Sequence, residues 1–92
     1  MVTLKTTQYI TCDDVEKLTG IHWNKFEFAQ MAENDSFQVL SCDEVYLKEL
    51  YEELEDEEGT KYGTRIKNQI KLIEILRKDF NCLSSILIWI SW

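Results

Sequence analysis

The spacing of apolar residues changes period several times along the chain, and each change predicts an element. Residues 2–10 are rich in Thr and in β-branched or aromatic types. Val2 and Leu4 alternate with polar neighbours there, which predicts a short strand. Residues 12–19 follow as a helix that stops at Gly20, a residue suited to the left-handed conformation beyond a helix end. In "HWNKFEFAQMAEND", Trp23, Phe26, Ala29 and Ala32 keep three-residue spacing, which predicts a helix over 23–33; "KFEF" alone fits a strand as well. Residues 36–40 alternate Phe37 and Val39 with polar neighbours as a second short strand. Leu47, Leu50, Tyr51 and Leu54 then recur at helical spacing within a helix over 42–57. After the turn "GTKYG" a third long helix spans 64–80, with Thr64 as its expected cap. Its Ile66, Ile70, Leu72, Ile73, Leu76 and Phe80 fall within roughly 160° of arc, a wide core-facing stripe. Residues 85–91 form a last strand, with Ile86, Ile88, Ile90 and Trp92 on one side and Ser85, Leu87, Trp89 and Ser91 on the other. It carries neither Lys nor Pro to guard an open edge, so it must be paired, covered or used in association.

Two nearly identical hexapeptides, "ITCDDV" at 10–15 and "LSCDEV" at 40–45, stand where two of these helices begin. A Ser or Thr three residues before an acid satisfies the unpaired N–H groups of a helix start. Thr11 with Asp14, and Ser41 with Glu44, are therefore expected as twin N-caps, and the preceding Ile or Leu as a hydrophobic staple. The flanks "EKLTGIHW" and "YLKELYEE" differ, which favours a repeated local device over a duplicated unit.

Length and composition narrow the picture. Ninety-two residues make one domain, 1–92, with a modest core. Apolar content of 45 % is too high for a disordered acidic tail. With no proline and only three glycines, long helices suit the chain better than a disulfide-stapled scaffold. The three cysteines, at 12, 42 and 82, are odd in number and widely spaced. The opening "MVTLKTTQYI" lacks the apolar core of a secretory signal, so reduced thiols and a cytoplasmic setting are expected. No apolar run approaches the ~18 residues of a membrane span.

Charge is the strongest pattern. The net charge is -7, yet residues 42–58 hold nine acids and one base, Lys48. Residues 61–78 reverse the balance, with Lys61, Arg65, Lys67, Lys71, Arg77 and Lys78 against Glu74 alone. The acids thus form a block whose far end, Glu52 to Glu58, outnumbers any neutralising partner and lies at a helix C-terminus, where carboxylates are disfavoured.

Candidate chemistry is sparse. No paired Cys or His motif suits zinc, and a helix spreads its carboxylates too widely to wrap a cation, so no metal and no cofactor are expected. A single histidine, His22, and the lack of a glycine-rich phosphate loop leave no nucleophile–base–orienter set, so no enzyme activity is expected. The stretch "YITCDDVEKLTGIHWNKFEFAQM" has the order helix, Gly turn, helix, and is distantly similar to excisionase-like and MerR-like DNA-binding segments. That resemblance implies a helix-turn-helix DNA reader. It departs at Glu16, where crossing helices need a small residue, and at Glu27 and Glu33 on the would-be reading helix. The net charge also opposes a polyanion.

The expectation is one α+β domain of three or four helices with a small sheet from terminal strands. It is expected to act as a small acidic regulator or inhibitor that binds a protein partner. In charge alone, a carboxylate stripe resembles the phosphates of DNA, and small acidic phage and mobile-element proteins use such stripes to occupy nucleic-acid-binding sites on host enzymes. Glu49, Glu52, Glu53, Glu55, Asp56, Glu57 and Glu58 are the candidate partner-binding residues. The alternatives are a divergent helix-turn-helix or winged-helix-type DNA-binding regulator, and an oligomeric structural module. A homodimer is expected through Ile88, Trp89, Ile90 and Trp92.

Overall fold

A computed structural model describes residues 9–32 and 37–90. Four helices and a three-stranded sheet follow in the order β1 (Tyr9–Thr11), α1 (Cys12–Thr19), a 3-10 turn (Trp23–Lys25), α2 (Glu27–Ala32), β2 (Phe37–Ser41), α3 (Glu44–Glu57), α4 (Lys61–Phe80) and β3 (Ser85–Trp89). The fold is α+β, as the sequence pattern predicts. The expected strand over 2–10 is seen from Tyr9 onward; residues 1–8 lie outside the described ones, as do 33–36, 91 and 92.

β3 is the middle strand of the sheet. It pairs in parallel with β1, Ile10 opposite Ile88, and antiparallel with β2, Leu40 opposite Ile86. The unguarded strand of the sequence is therefore paired along both edges. Its period of two sorts the side chains: Ile86 and Ile88, with Ile10 and Leu40 beside them, are buried. The helices close over them, and the stripe of α4 supplies Ile66, Ile70, Leu72, Ile73 and Leu76 to the same core. The opposite face is left open, with Tyr9, Phe37, Val39 and Trp89 exposed.

Several element boundaries differ from expectation for physical reasons. The helix predicted over 23–33 is broken at Phe26, whose backbone is extended (φ -107°, ψ 158°). Phe26 and Phe28 are both buried, with ring centroids 5.5 Å apart. Two residues apart on a continuous helix they would point to nearly opposite sides, and the extended step brings both rings into one core. Side chains of α4 bond the carbonyls around the break: Arg65 donates to Asn24 O (2.6 Å) and Phe26 O (2.9 Å), and Asn68 to Lys25 O (2.8 Å).

The first hexapeptide caps as expected. Thr11 Oγ1 accepts from Asp14 N–H (3.2 Å), and Thr11 N–H donates to Asp14 Oδ2 (3.0 Å). The second uses a different residue. Ser41 is still paired in β2, opposite Ser85, so the cap moves to Asp43, whose Oδ1 accepts from Tyr46 N–H (2.7 Å). The Ser41 hydroxyl donates to the other oxygen of Asp43 (2.7 Å) and holds the cap in place. Both hexapeptides thus mark a strand-to-helix junction on β3's two neighbours. α4 also starts earlier than predicted, at Lys61, with Thr60 rather than Thr64 as its cap; Thr60 Oγ1 accepts from Gly63 N–H (2.9 Å).

Candidate interaction surfaces

α3 is held against α4 by one side only. Leu50 is buried, and Tyr46, Leu47 and Leu54 are partly buried against the core. On the other side Glu49, Glu52, Glu55 and Asp56 are exposed, as is Glu58 just beyond the helix, whereas Glu53 and Glu57 are half-buried at the α4 side. The structure thus places the seven sequence-predicted acids on one helix and its end, five of them facing solvent.

The bases of α4 do not neutralise them by contact. Arg65 is spent on the carbonyls of Asn24 and Phe26, Lys71 donates to Thr19 O (3.0 Å), and Arg77 donates to Cys42 O (2.8 Å). Among the described residues no Lys or Arg is in ion-pair contact with a carboxylate; the one comparable approach is the His22 ring, 3.7 Å from Glu16. The polar links between α3 and α4 are instead hydroxyl to carboxylate: Tyr62 Oη donates to Glu53 (2.7 Å) and Tyr51 Oη to Glu74 (2.9 Å). Those bonds to carboxylates raise the pKa of both tyrosines. Tyr51, Leu54 and Lys67 line a shallow groove beside Glu55 and Glu58.

Where α2 meets α3 and α4 lies a second polar cluster that sequence reasoning missed. Gln69, 2 % exposed, accepts from Phe28 N–H (2.8 Å) through Oε1 and donates to Tyr46 Oη (3.0 Å) through Nε2. Glu27 enters the same junction; its Oε2 is shut off from solvent and has no hydrogen-bond partner. Burial, and then the charge of Glu53, raise its pKa above the usual carboxylate value. A single Gln on the apolar stripe of α4 was the available signal.

The predicted dimer residues divide. Ile88 and Ile90 are buried in the core of the chain, 0 % and 2 % exposed, while Trp89 is 43 % exposed on the opposite face; Trp92 lies outside the described residues. Trp89 gathers Tyr9 (ring centroids 5.8 Å) and Phe37 (6.3 Å) into an aromatic cluster, with Val39 60 % exposed beside it.

The helix-turn-helix outline is present only in part. α1 ends at Gly20 in the left-handed conformation (φ 74°), but the second helix is the six-residue α2, about 9 Å long. Phe28 is buried, and the Glu27 carboxyl is directed into the α3–α4 junction. Glu16, the residue at odds with the motif, stands 3.7 Å from His22. His22 in turn caps the 3-10 turn through Asn24 N–H (3.2 Å).

The three cysteines are buried and in no disulfide, with Cys12 bonded to Trp89 O (3.5 Å). Among the described residues no three His, Cys, Asp or Glu side chains gather where a metal ion could sit, and no helix is long and apolar enough to cross a membrane. No protein-family model, curated protein or solved structure matches the chain.

Proposed function

We propose that this chain is a small non-catalytic regulator that binds a protein partner through the outer face of α3, at a partner surface built to receive nucleic-acid phosphates. One observation carries the reading: five exposed carboxylates on and just after one helix, with no base of α4 in ion-pair contact. The five exposed acids between Glu49 and Glu58 span ~15 Å at the helical rise, about one charge per 3 Å. Each strand of duplex DNA presents about one per 3.4 Å of axis. A protein groove that binds DNA would meet a comparable charge density here, on a rigid support. This is the inhibitor, or DNA-mimic, reading typical of phage proteins. The buried thiols, none in a disulfide, favour a reducing, cytoplasmic setting.

The test is capture of host nucleic-acid-binding proteins on the immobilised chain, with duplex DNA as competitor. The triple variant Glu52→Lys, Glu55→Lys, Asp56→Lys serves as control. The reading expects capture that weakens with salt, is displaced by DNA and is lost in the triple variant while its circular dichroism stays native. Capture that survives the triple reversal would remove α3 as the surface. Direct, salt-dependent binding of duplex DNA by the chain itself would favour the helix-turn-helix alternative.

The open aromatic face supports a second reading, self-association through Trp89. The exposed parts of Tyr9, Phe37, Val39 and Trp89 amount to ~400 Å² if each ring offers ~200 Å² in full. A two-fold pairing would then bury ~800 Å² from these residues. That is less than the ~1,200 Å² of a stable interface, so this dimer is expected to be weak.

A further inference from the structure

The junction of α2 with α3 and α4 holds a carboxyl oxygen that no donor reaches. Glu27 opens α2, and its Oε2 is sealed from water without a donor. A buried carboxylate oxygen without a donor is costly when ionised and much less so when the group is protonated. The two long helices around it add acids and tyrosines. α3 brings Tyr46, Glu49 and Glu53, and the charges of Glu27, Glu53 and Glu49 all bear on Tyr46. α4 brings Tyr62, already donating to Glu53, and Gln69, already committed to Phe28 N–H and Tyr46 Oη. The neighbouring bases are occupied or turned outward: Arg65 binds the carbonyls of Asn24 and Phe26, and Lys25 is exposed. The described strand on this side, β2, has no titratable residue (FQVLS), and Glu33 and Asp35 lie outside the described residues.

We propose that Glu27 is a proton-operated latch: its carboxyl takes up a proton as pH falls and thereby fastens α2 to α3 and α4. In the ionised state Glu27 repels Glu53 across the junction and strains the seam that the Gln69 bridge holds. In the protonated state the repulsion ends, and the carboxyl gains a proton to donate to the acceptors around it. The sign follows from linkage. A carboxyl that binds its proton more tightly in the folded chain contributes stability that is fully present below its unfolded titration range. That stability is lost as pH rises through its folded value. The latch does not depend on the partner reading, because it concerns how α2 is held and needs no ligand.

The experiment is a carboxyl-carbon NMR titration of the intact chain, joined to thermal unfolding between pH 7.5 and pH 5. The Glu27 carboxyl should titrate above the usual glutamate value. Glu27→Gln should raise the melting temperature by a few degrees at pH 7.5 and flatten the wild-type gain on acidification. Glu53→Gln should shift the Glu27 titration back toward the usual glutamate value. Amide exchange in α2, corrected for intrinsic rate, should slow on acidification in the wild type and not in Glu27→Gln. The proposal is overturned if Glu27 titrates at or below the usual glutamate value, or if Glu27→Gln and wild type show the same pH dependence. Should Glu27→Gln fail to fold, the wild-type titration alone decides.

Discussion

Gly63 lies in the first turn of α4, where replacing glycine by alanine normally stabilises a helix by about 1 kcal/mol. The structure reverses that expectation. A Cβ built on Gly63 falls against the carbonyl oxygen of Glu57, with the carbonyl carbon at 2.9 Å and Thr60 Oγ1 at 3.4 Å. That carbonyl is backbone, so it cannot rotate away as a side chain would. It also accepts from Thr60 N–H (3.0 Å) and Thr60 Oγ1 (2.7 Å), the two bonds that close the α3–α4 turn. Forcing a methyl into such a contact costs about 1–3 kcal/mol, and each turn bond weakened costs up to about 1 kcal/mol more. Set against the helix gain, Gly63→Ala should lose about 2 kcal/mol net. For a domain of this size that lowers the melting temperature by about 10 °C. Thermal unfolding followed by circular dichroism reads it directly, with Lys67→Ala on the exposed side of the same helix as the unhindered comparison. A melting temperature equal to or above wild type in Gly63→Ala would show that α3 and α4 do not approach as described.

The two caps should respond unequally. Thr11→Ala should cost about 1 kcal/mol, Asp43→Ala should also destabilise, and Ser41→Ala should do so less; equal effects of Ser41→Ala and Thr11→Ala in denaturant titration would restore Ser41 as the cap. The Tyr46 N–H and the Ser41 hydroxyl lower the pKa of Asp43, so its contribution is present above the usual aspartate value and fades as pH falls through the lowered one. Asp43→Asn should therefore show a flatter acid limb, and an unchanged limb would contradict the cap. The buried thiols should react slowly with a disulfide reagent in the native state and rapidly in denaturant, most of all Cys42, whose pKa burial raises; prompt native labelling of Cys42 would disprove its burial. Sedimentation should show a monomer at low micromolar concentration with weak concentration-dependent association that Trp89→Ser removes; a tight dimer indifferent to Trp89→Ser would place the interface elsewhere.

The α4 stripe was legible because six large apolar residues at helical spacing admit one arrangement. Thr11 was legible because its capping partners lie three residues apart in sequence, and the acidic face of α3 because charge is read directly from composition. What escaped reading depended on distant parts of the chain. Ser41 looks as good a cap as Asp43 until β3 claims Ser41 for the sheet. Gly63 looks like a turn until the Glu57 carbonyl is seen where its side chain would be. Phe26 breaks a helix whose period was sound, because two phenylalanines compete for one core. Ile88 and Trp89 are neighbours of similar hydrophobicity, and no local pattern told which side of β3 the helices would cover. The Glu27 junction was invisible for the same reason: its members lie on three helices.

The central place of β3 has a consequence for how the chain can be cut and assembled. β1 and β2 share no hydrogen bonds with each other; each pairs only with β3. Synthesis delivers β3 after every other described element. Until it emerges, the two outer strands have nothing to pair with, while the α3–α4 hairpin can already form from neighbouring residues. The sheet therefore arises by insertion of a late strand between two waiting ones, each bond spanning a long stretch of chain, and should be the slow step of folding. A truncation before Ser85 would not trim the sheet from three strands to two. It would leave no sheet at all, and the buried faces of Ile10, Leu40 and α4 would stand open to water.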